Sequence, residues 1–147
     1  MNEDSLGQFQ PVQANTSTSK KGVIRGIHYS KVSEGQEKMV ICVHGKIRDI
    51  AVDIRQDSET FGQYDSIELE AGSGKVAFIG KGLGHAFEVL SESATIVYLL
   101  SSTHSPYFEK EIYPLDKDLN IDWLTSDPIL SDKDKNAPSF RALTGKQ

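Results

Sequence analysis

The sequence predicts an all-β domain, a sandwich or barrel of short strands, and three observations carry that expectation. Between residues 22 and 101, short runs rich in Val, Ile, Tyr and Phe follow one another, parted by Gly-containing turns. No segment holds an apolar period of helical spacing over a helical length. Ile50, Val52 and Ile54 alternate with Ala51, Asp53 and Arg55, the pattern of a strand with one face in a core.

The first ten residues read as a flexible lead or an irregular edge, and Asn15-Thr16-Ser17-Thr18-Ser19-Lys20-Lys21 as a polar loop. Strands are predicted over 22–29, 37–44, 46–55, 64–70, 75–79, 85–90 and 94–101. Turns fall at 43–46, 71–74 and 80–84, where Gly supplies the backbone freedom. Residues 80–84 have neither the Lys-Ser/Thr ending of a phosphate loop nor a dinucleotide-binding spacing. Beyond Pro106 the pattern degrades. Pro114, Pro128 and Pro138 punctuate a tail with short helical turns at most, and Trp123 is predicted to fold it back onto the body.

A chain of 147 residues suffices for one domain with a sizeable core. With 37% hydrophobic and 25% charged residues and a net charge of -5, the balance suits a soluble protein. It argues against non-specific nucleic-acid binding, which needs a basic surface, while a local basic site for a phosphorylated small molecule stays open. Cys42 is the sole cysteine, so no internal disulfide or Cys-rich zinc site can form, and it reads as a small core residue. Residues 1–10 are polar and acidic, unlike a signal peptide, and no stretch is long and apolar enough to span a membrane. A cytoplasmic location is the expectation.

Some residues invite chemistry. His28, on the strand over 22–29, lies near Arg25 and ten positions before Lys38. It reads as a proton-transfer group beside anion-binding cations, or as an ordinary strand histidine with a satisfied hydrogen bond. Strict alternation puts Arg25 and His28 on opposite faces. They can meet one ligand only if the strand bulges near Gly26. Lys38 begins a strand, where it points outward or, at a cost, inward toward an anionic partner. His85 opens a strand after a Gly-rich loop and either lines a barrel mouth or closes a turn. Tyr98, in an apolar strand, is a core aromatic or a general acid in a cavity. Asp49 and Asp53 share one strand face, inward with partners or outward for solubility. His44 sits beside Gly45 as a solvated turn residue. The four histidines include no tight His-x-His pair, so a metal site is not expected.

Several segments occur here in a specific order: Gln13-Ala14-Asn15-Thr16-Ser17, the run 22–29, Asp49-Ile50-Ala51-Val52-Asp53-Ile54-Arg55, Thr60-Phe61-Gly62, and Gly82-Leu83-Gly84-His85-Ala86-Phe87. Ile121-Asp122-Trp123, Leu130-Ser131-Asp132-Lys133-Asp134 and Ala137-Pro138-Ser139-Phe140 complete the set. In this order they resemble the dTDP-4-dehydrorhamnose 3,5-epimerase family of sugar epimerases, from about Gln13 to Phe140. The resemblance implies a cupin-type jelly roll with a short irregular or helical C-terminal tail, and a metal-independent isomerase without cofactor. It would epimerise C3 and C5 of dTDP-4-dehydro-6-deoxy-D-glucose through an enolate.

By the same resemblance, His28 is the catalytic base, Asp132 the carboxylate that pairs with it, Tyr98 the general acid and Lys38 the cation beside the 4-keto oxygen. Asp49 and His85 fall on other active-site positions. Gln13, Asn15, Ser17 and Arg25 match positions that contact the nucleotide or its diphosphate. A homodimer is implied. The reading is of one domain over 1–147 that lacks the N-terminal arm with which family members reach the partner's nucleotide base. His104 replaces a frequent Tyr and Ser30 a frequent Gln. The alternatives are inversion of C3 or C5 alone, a related nucleotide 4-keto sugar, or a non-catalytic sugar-nucleotide-binding homologue.

Overall fold

Apolar side chains recur at alternate positions along most strands, and antiparallel pairing sets those positions side by side in two sheets. The computed structural model describes residues 8–145. Its strands are β1 (Gln13–Lys20), β2 (Ile24–Ser30), β3 (Lys38–His44), β4 (Lys46–Asp53), β5 (Tyr64–Glu70), β6 (Ala77–Ile79), β7 (Leu83–Val89), β8 (Ser93–Leu100) and β9 (Glu109–Glu111). One sheet runs β1-β8-β3-β6 and the other β5-β4-β7-β2-β9, which is the expected jelly roll. The predicted strands all form, with ends shifted by a few residues.

β1 and β9 depart from expectation. The polar run predicted as a loop is a strand, paired along its whole length with β8 from Gln13–Leu100 to Lys20–Ser93. Asn15, Ser17 and Ser19 are more buried than Thr16 and Thr18 between them, so the alternation is present but written in polar residues. The backbone ladder to an apolar neighbour decides the conformation here, as is usual for β propensity. β9 is only Glu109–Glu111 and pairs with the end of β2. The expected flexible lead falls largely on residues 1–7, outside the described residues.

The space between the sheets is filled by Val40, Cys42, Ile47, Leu69, Phe87, Val89 and Ile96 among others. Cys42 is thus a core residue, as its sequence setting suggested. A second cluster, with Ile27, Tyr29, Ile50, Val52, Ala86, Ile112, Leu119, Ile121 and Phe140, lies on the other side of the larger sheet. The expectation that β4 buries one face is therefore corrected: Ile50 and Val52 pack beneath the C-terminal tail, while Ile47 and Asp49 face the barrel interior. Each fully buried Ile or Val contributes about 1.5–3 kcal/mol, so the tail supports the sheet as much as the interior does.

Polar contacts fix the tail in place. Glu88, completely buried, accepts a hydrogen bond from Arg48 Nη1 at 3.2 Å and from the backbone N–H groups of Leu124 and Thr125 at 3.1 Å. Trp123 packs on the second cluster and donates its indole N–H to Pro114 O at 3.0 Å. Ile129 forms a parallel bridge with Val23, just ahead of β2. The tail ends in a helical turn, α1 (Asp132–Lys135), and a 3-10 turn (Phe140–Thr144).

Candidate active site

A cavity of about 240 Å3 opens between the sheets. The smaller sheet lends it Asn15 and Ser17 from β1, Lys38 from β3 and Tyr98 from β8. The larger lends Arg25 and His28 from β2 and His85 and Phe87 from β7. His104, Glu109, Lys110 and Lys133 line it as well.

Arg25 and His28 reach the same cavity because β2 carries an extra residue. Arg25 lies opposite Phe87 and His28 opposite His85, so three steps on β2 match two on β7. Gly26 sits in this bulge with φ at 116°, and a Cβ there would lie 2.5 Å from the His85 carbonyl oxygen and 2.7 Å from Ala86 Cα. Only glycine fits that conformation and that approach. Arg25 Nε donates to Ser19 Oγ at 3.0 Å, which orients the guanidinium.

His28 and His85, neighbours across β2 and β7, each carry a carboxylate. His28 Nε2 lies 2.7 Å from Asp134 Oδ1. Burial pushes the Asp134 carboxyl up, but the hydrogen bond and charge of His28, with help from Ser131 and the Gly26 N–H, hold it below its ordinary value. An ionised Asp134 can accept a hydrogen bond from Nε2–H of His28, and in that neutral tautomer Nδ1 carries the lone pair. Asp134 itself is placed by α1: Ser131 is the N-cap, and its hydroxyl accepts the Asp134 N–H at 3.0 Å. His85 Nε2 lies 2.7 Å from Asp49 Oδ2, with both residues buried.

Lys38 is only 7% exposed. Burial pushes its ammonium below the ordinary lysine value, while the charges of Glu109 and Asp49 act the other way. A buried cation at a cavity wall suits an oxygen on which negative charge develops. Tyr98 is half-buried on the sheet facing His28. Among the described residues no three His, Cys, Asp or Glu side chains gather as a metal would require.

The chain has relatives among known proteins. Residues 2–142 match the family described as dTDP-4-dehydrorhamnose 3,5-epimerase. The chain belongs to that family. It is similar to a dTDP-4-dehydro-6-deoxyglucose 3-epimerase of a Streptomyces species, 42% identical over 133 residues, covering 90% of this chain and 68% of the relative. It is equally similar to a dTDP-4-dehydrorhamnose 3,5-epimerase of Mycolicibacterium smegmatis, 43% identical over 134 residues, covering 90% and 66%. Among solved structures it resembles the 3'-monoepimerase ChmJ from Streptomyces bikiniensis in complex with dTDP-quinovose. That match has a TM-score of 0.90 and 38% identity, over 99% of this chain and 76% of that one. The chain thus spans about two thirds of the length of these curated relatives. Within the epimerase family the fold class is settled as the cupin-type jelly roll.

Most of the predicted site residues converge: Asn15, Ser17, Arg25, His28, Lys38, His85 and Tyr98 line the cavity, and Asp49 stands behind His85. Asp132 does not pair with His28; Asp134 does. Residues two apart on a helical turn point about 200° away from each other, so only one of the two can face the histidine. Asp132 is exposed at the start of α1, and Asp134 is turned inward. The signal for this was in the sequence: Ser131 followed three residues later by an acid reads as an N-cap and the residue it caps. Gln13 does not line the cavity. It bridges Asn15 Oδ1 at 3.1 Å and the His104 N–H at 2.7 Å. Asp53, like Asp49, is buried with partners, the first of the two readings for that pair, and ties a corner with Arg55, Ser58 and Thr60. Glu109, unforeseen, faces the cavity from β9.

Proposed function

We propose that this chain epimerises dTDP-4-dehydro-6-deoxy-D-glucose at C3 and C5 to give dTDP-4-dehydro-L-rhamnose. The observation that supports this most is the opposition of His28 with Asp134 on one wall and Tyr98 on the other, with buried Lys38 on the Tyr98 sheet. A proton α to a ketone is removable when the enolate is stabilised. His28 Nδ1 takes that proton, and Asp134 fixes the tautomer and stabilises the imidazolium that forms. Lys38 donates to the C4 oxygen as charge moves onto it, and His85 joins it as the imidazolium, with one N–H on Asp49 and the other toward the substrate. Tyr98 returns a proton from the opposite face and so inverts the carbon. His28 then gives its proton to solvent, Tyr98 takes one from solvent, and the same set serves the second carbon.

Arg25, braced by Ser19, suits a diphosphate, with Asn15 and Ser17 beside it and Gln13 acting through Asn15 and His104. The reading needs no metal or cofactor, and takes the protein as a cytoplasmic homodimer. No helix among the described residues is long and apolar enough to cross a membrane.

Inversion at one carbon alone is the second reading, favoured by the equal likeness to a 3-epimerase and a 3,5-epimerase. The test is incubation with the substrate in D2O, followed by proton NMR. Deuterium at C3 and C5 is the expected result. Deuterium at one carbon selects the single inversion, and a folded protein that exchanges neither overturns the proposal.

A further inference from the structure

The proposed chemistry gives no task to Gln36, a buried polar side chain of the substrate cavity just ahead of β3. Gln36 continues the inward face of that strand: Gln36, Lys38 and Val40 are buried, while Glu37 and Met39 between them are less so. It is 7% exposed and lines the cavity with Lys38, Tyr98, Leu100 and His104. Its amide is held from one side, where Nε2 donates to Ser102 Oγ at 2.8 Å. The adjoining backbone is tied to the same place, with the Glu37 N–H on Ser101 Oγ at 2.8 Å and the Ser101 N–H on Glu37 O at 3.1 Å. No group among the described residues donates to Gln36 Oε1, and that oxygen is not sealed off as Asp49 Oδ1 is.

The Lys38 ammonium also has no hydrogen-bond partner among the described residues. The inward face of this segment therefore offers the cavity a cation and an amide carbonyl two residues apart, about 6.4–6.8 Å along an extended chain. The ammonium only donates and the carbonyl only accepts. A ligand that satisfies both carries an acceptor and a hydroxyl side by side, as an α-hydroxy ketone does. Two adjacent oxygens with a hydrogen bond of about 2.8 Å at each end bridge that separation. In the substrate proposed above, the C4 ketone has one such neighbour, the hydroxyl on C3, because C5 carries the methyl group and the ring oxygen. We propose that Gln36 Oε1 accepts the C3 hydroxyl while Lys38 holds the C4 oxygen, so that Gln36 selects a sugar hydroxylated at C3. The inference rests on the functional reading above and adds the group by which that sugar is recognised. A carbonyl buried without its donor is costly, so a site built to hydrogen-bond a hydroxyl rejects the analogue that lacks it. Gln36 moves no proton; its role is specificity.

Binding of unreactive ligands tests this apart from turnover. dTDP-6-deoxy-D-glucose has the C3 hydroxyl and a C4 hydroxyl in place of the ketone, so it binds without epimerising. Its 3-deoxy counterpart differs in the one group at issue. Calorimetric titration of the parent is expected to show the 3-deoxy ligand binding about tenfold more weakly. Gln36→Met, of similar length but without the carbonyl, should bring the two sugars within about twofold of each other. Its affinity for dTDP alone should stay within about twofold of the parent, since the residue reads the sugar. Gln36→Asn withdraws the amide by one methylene and should reduce the ratio to about threefold or less, which decides the matter where the Met variant does not fold. A parent indifferent to the C3 hydroxyl, or folded variants that keep the tenfold ratio, overturn this inference and leave the functional reading in place. A parent that binds no dTDP-hexose overturns both.

Discussion

The two histidine–carboxylate pairs share a distance of 2.7 Å and differ in almost everything else. His85 and Asp49 lie on adjacent strands of one sheet, both buried, and their meeting follows from the β4–β7 register alone. The His28 side chain is 36% exposed to the cavity, and its carboxylate comes from the C-terminal tail, 106 residues on. That pair exists only because Glu88, the Ile129 bridge and the Ser131 cap bring α1 to the edge of β2. The comparison teaches that a donor meant to stay put is built into a ladder. The proposed base is left open on one side and is held from the other by a carboxylate on a separately anchored segment.

The largest break in this comparison is His28→Ala. It removes the proposed base and is expected to lower deuterium incorporation from D2O by about 10^3-fold or more, read by NMR. Lys38→Met should come next, with turnover falling about 10^2–10^3-fold as the oxyanion loses a donor. Because that change removes a buried ammonium, denaturant unfolding should show the variant more stable by about 1–2 kcal/mol. His85→Gln keeps a hydrogen-bond donor beside Asp49 and should cost less, about 10–100-fold in kcat.

The smallest effect is in stability against pH. The Asp134 value is depressed below 3.8, so its stabilising contribution is fully present above that pH and is lost as the pH falls through the depressed value. The stability gap between the parent and Asp134→Asn should therefore narrow as the pH falls below about 4. A gap that fails to narrow below about pH 4 would contradict an ionised Asp134 held by His28.

Much of this arrangement was legible in the sequence. Apolar alternation located β2 to β8, and the need for a bulge at Gly26 followed from Arg25 and His28 having opposite parity. β1 was not legible, because Asn15, Ser17 and Ser19 occupy the inward positions where an apolar side chain would have marked a strand. They are polar because that end of the barrel holds the cavity. The two-sided burial of β4 was hidden for a related reason: Asp49 interrupts the apolar inner face, and that interruption is the second pair. Asp132 and Asp134 differ only in direction around one helical turn, which composition does not record but the Ser131 cap does.

That last distinction offers the most direct test of the account. The initial rate of deuterium incorporation is measured for Asp134→Asn beside Asp132→Asn, with melting temperature as a check on folding. The account predicts a loss of about 10^2-fold or more for Asp134→Asn, and a rate within about twofold of the parent for Asp132→Asn. Equal losses, or the greater loss at Asp132, would contradict the assignment of Asp134 as the carboxylate of the catalytic base.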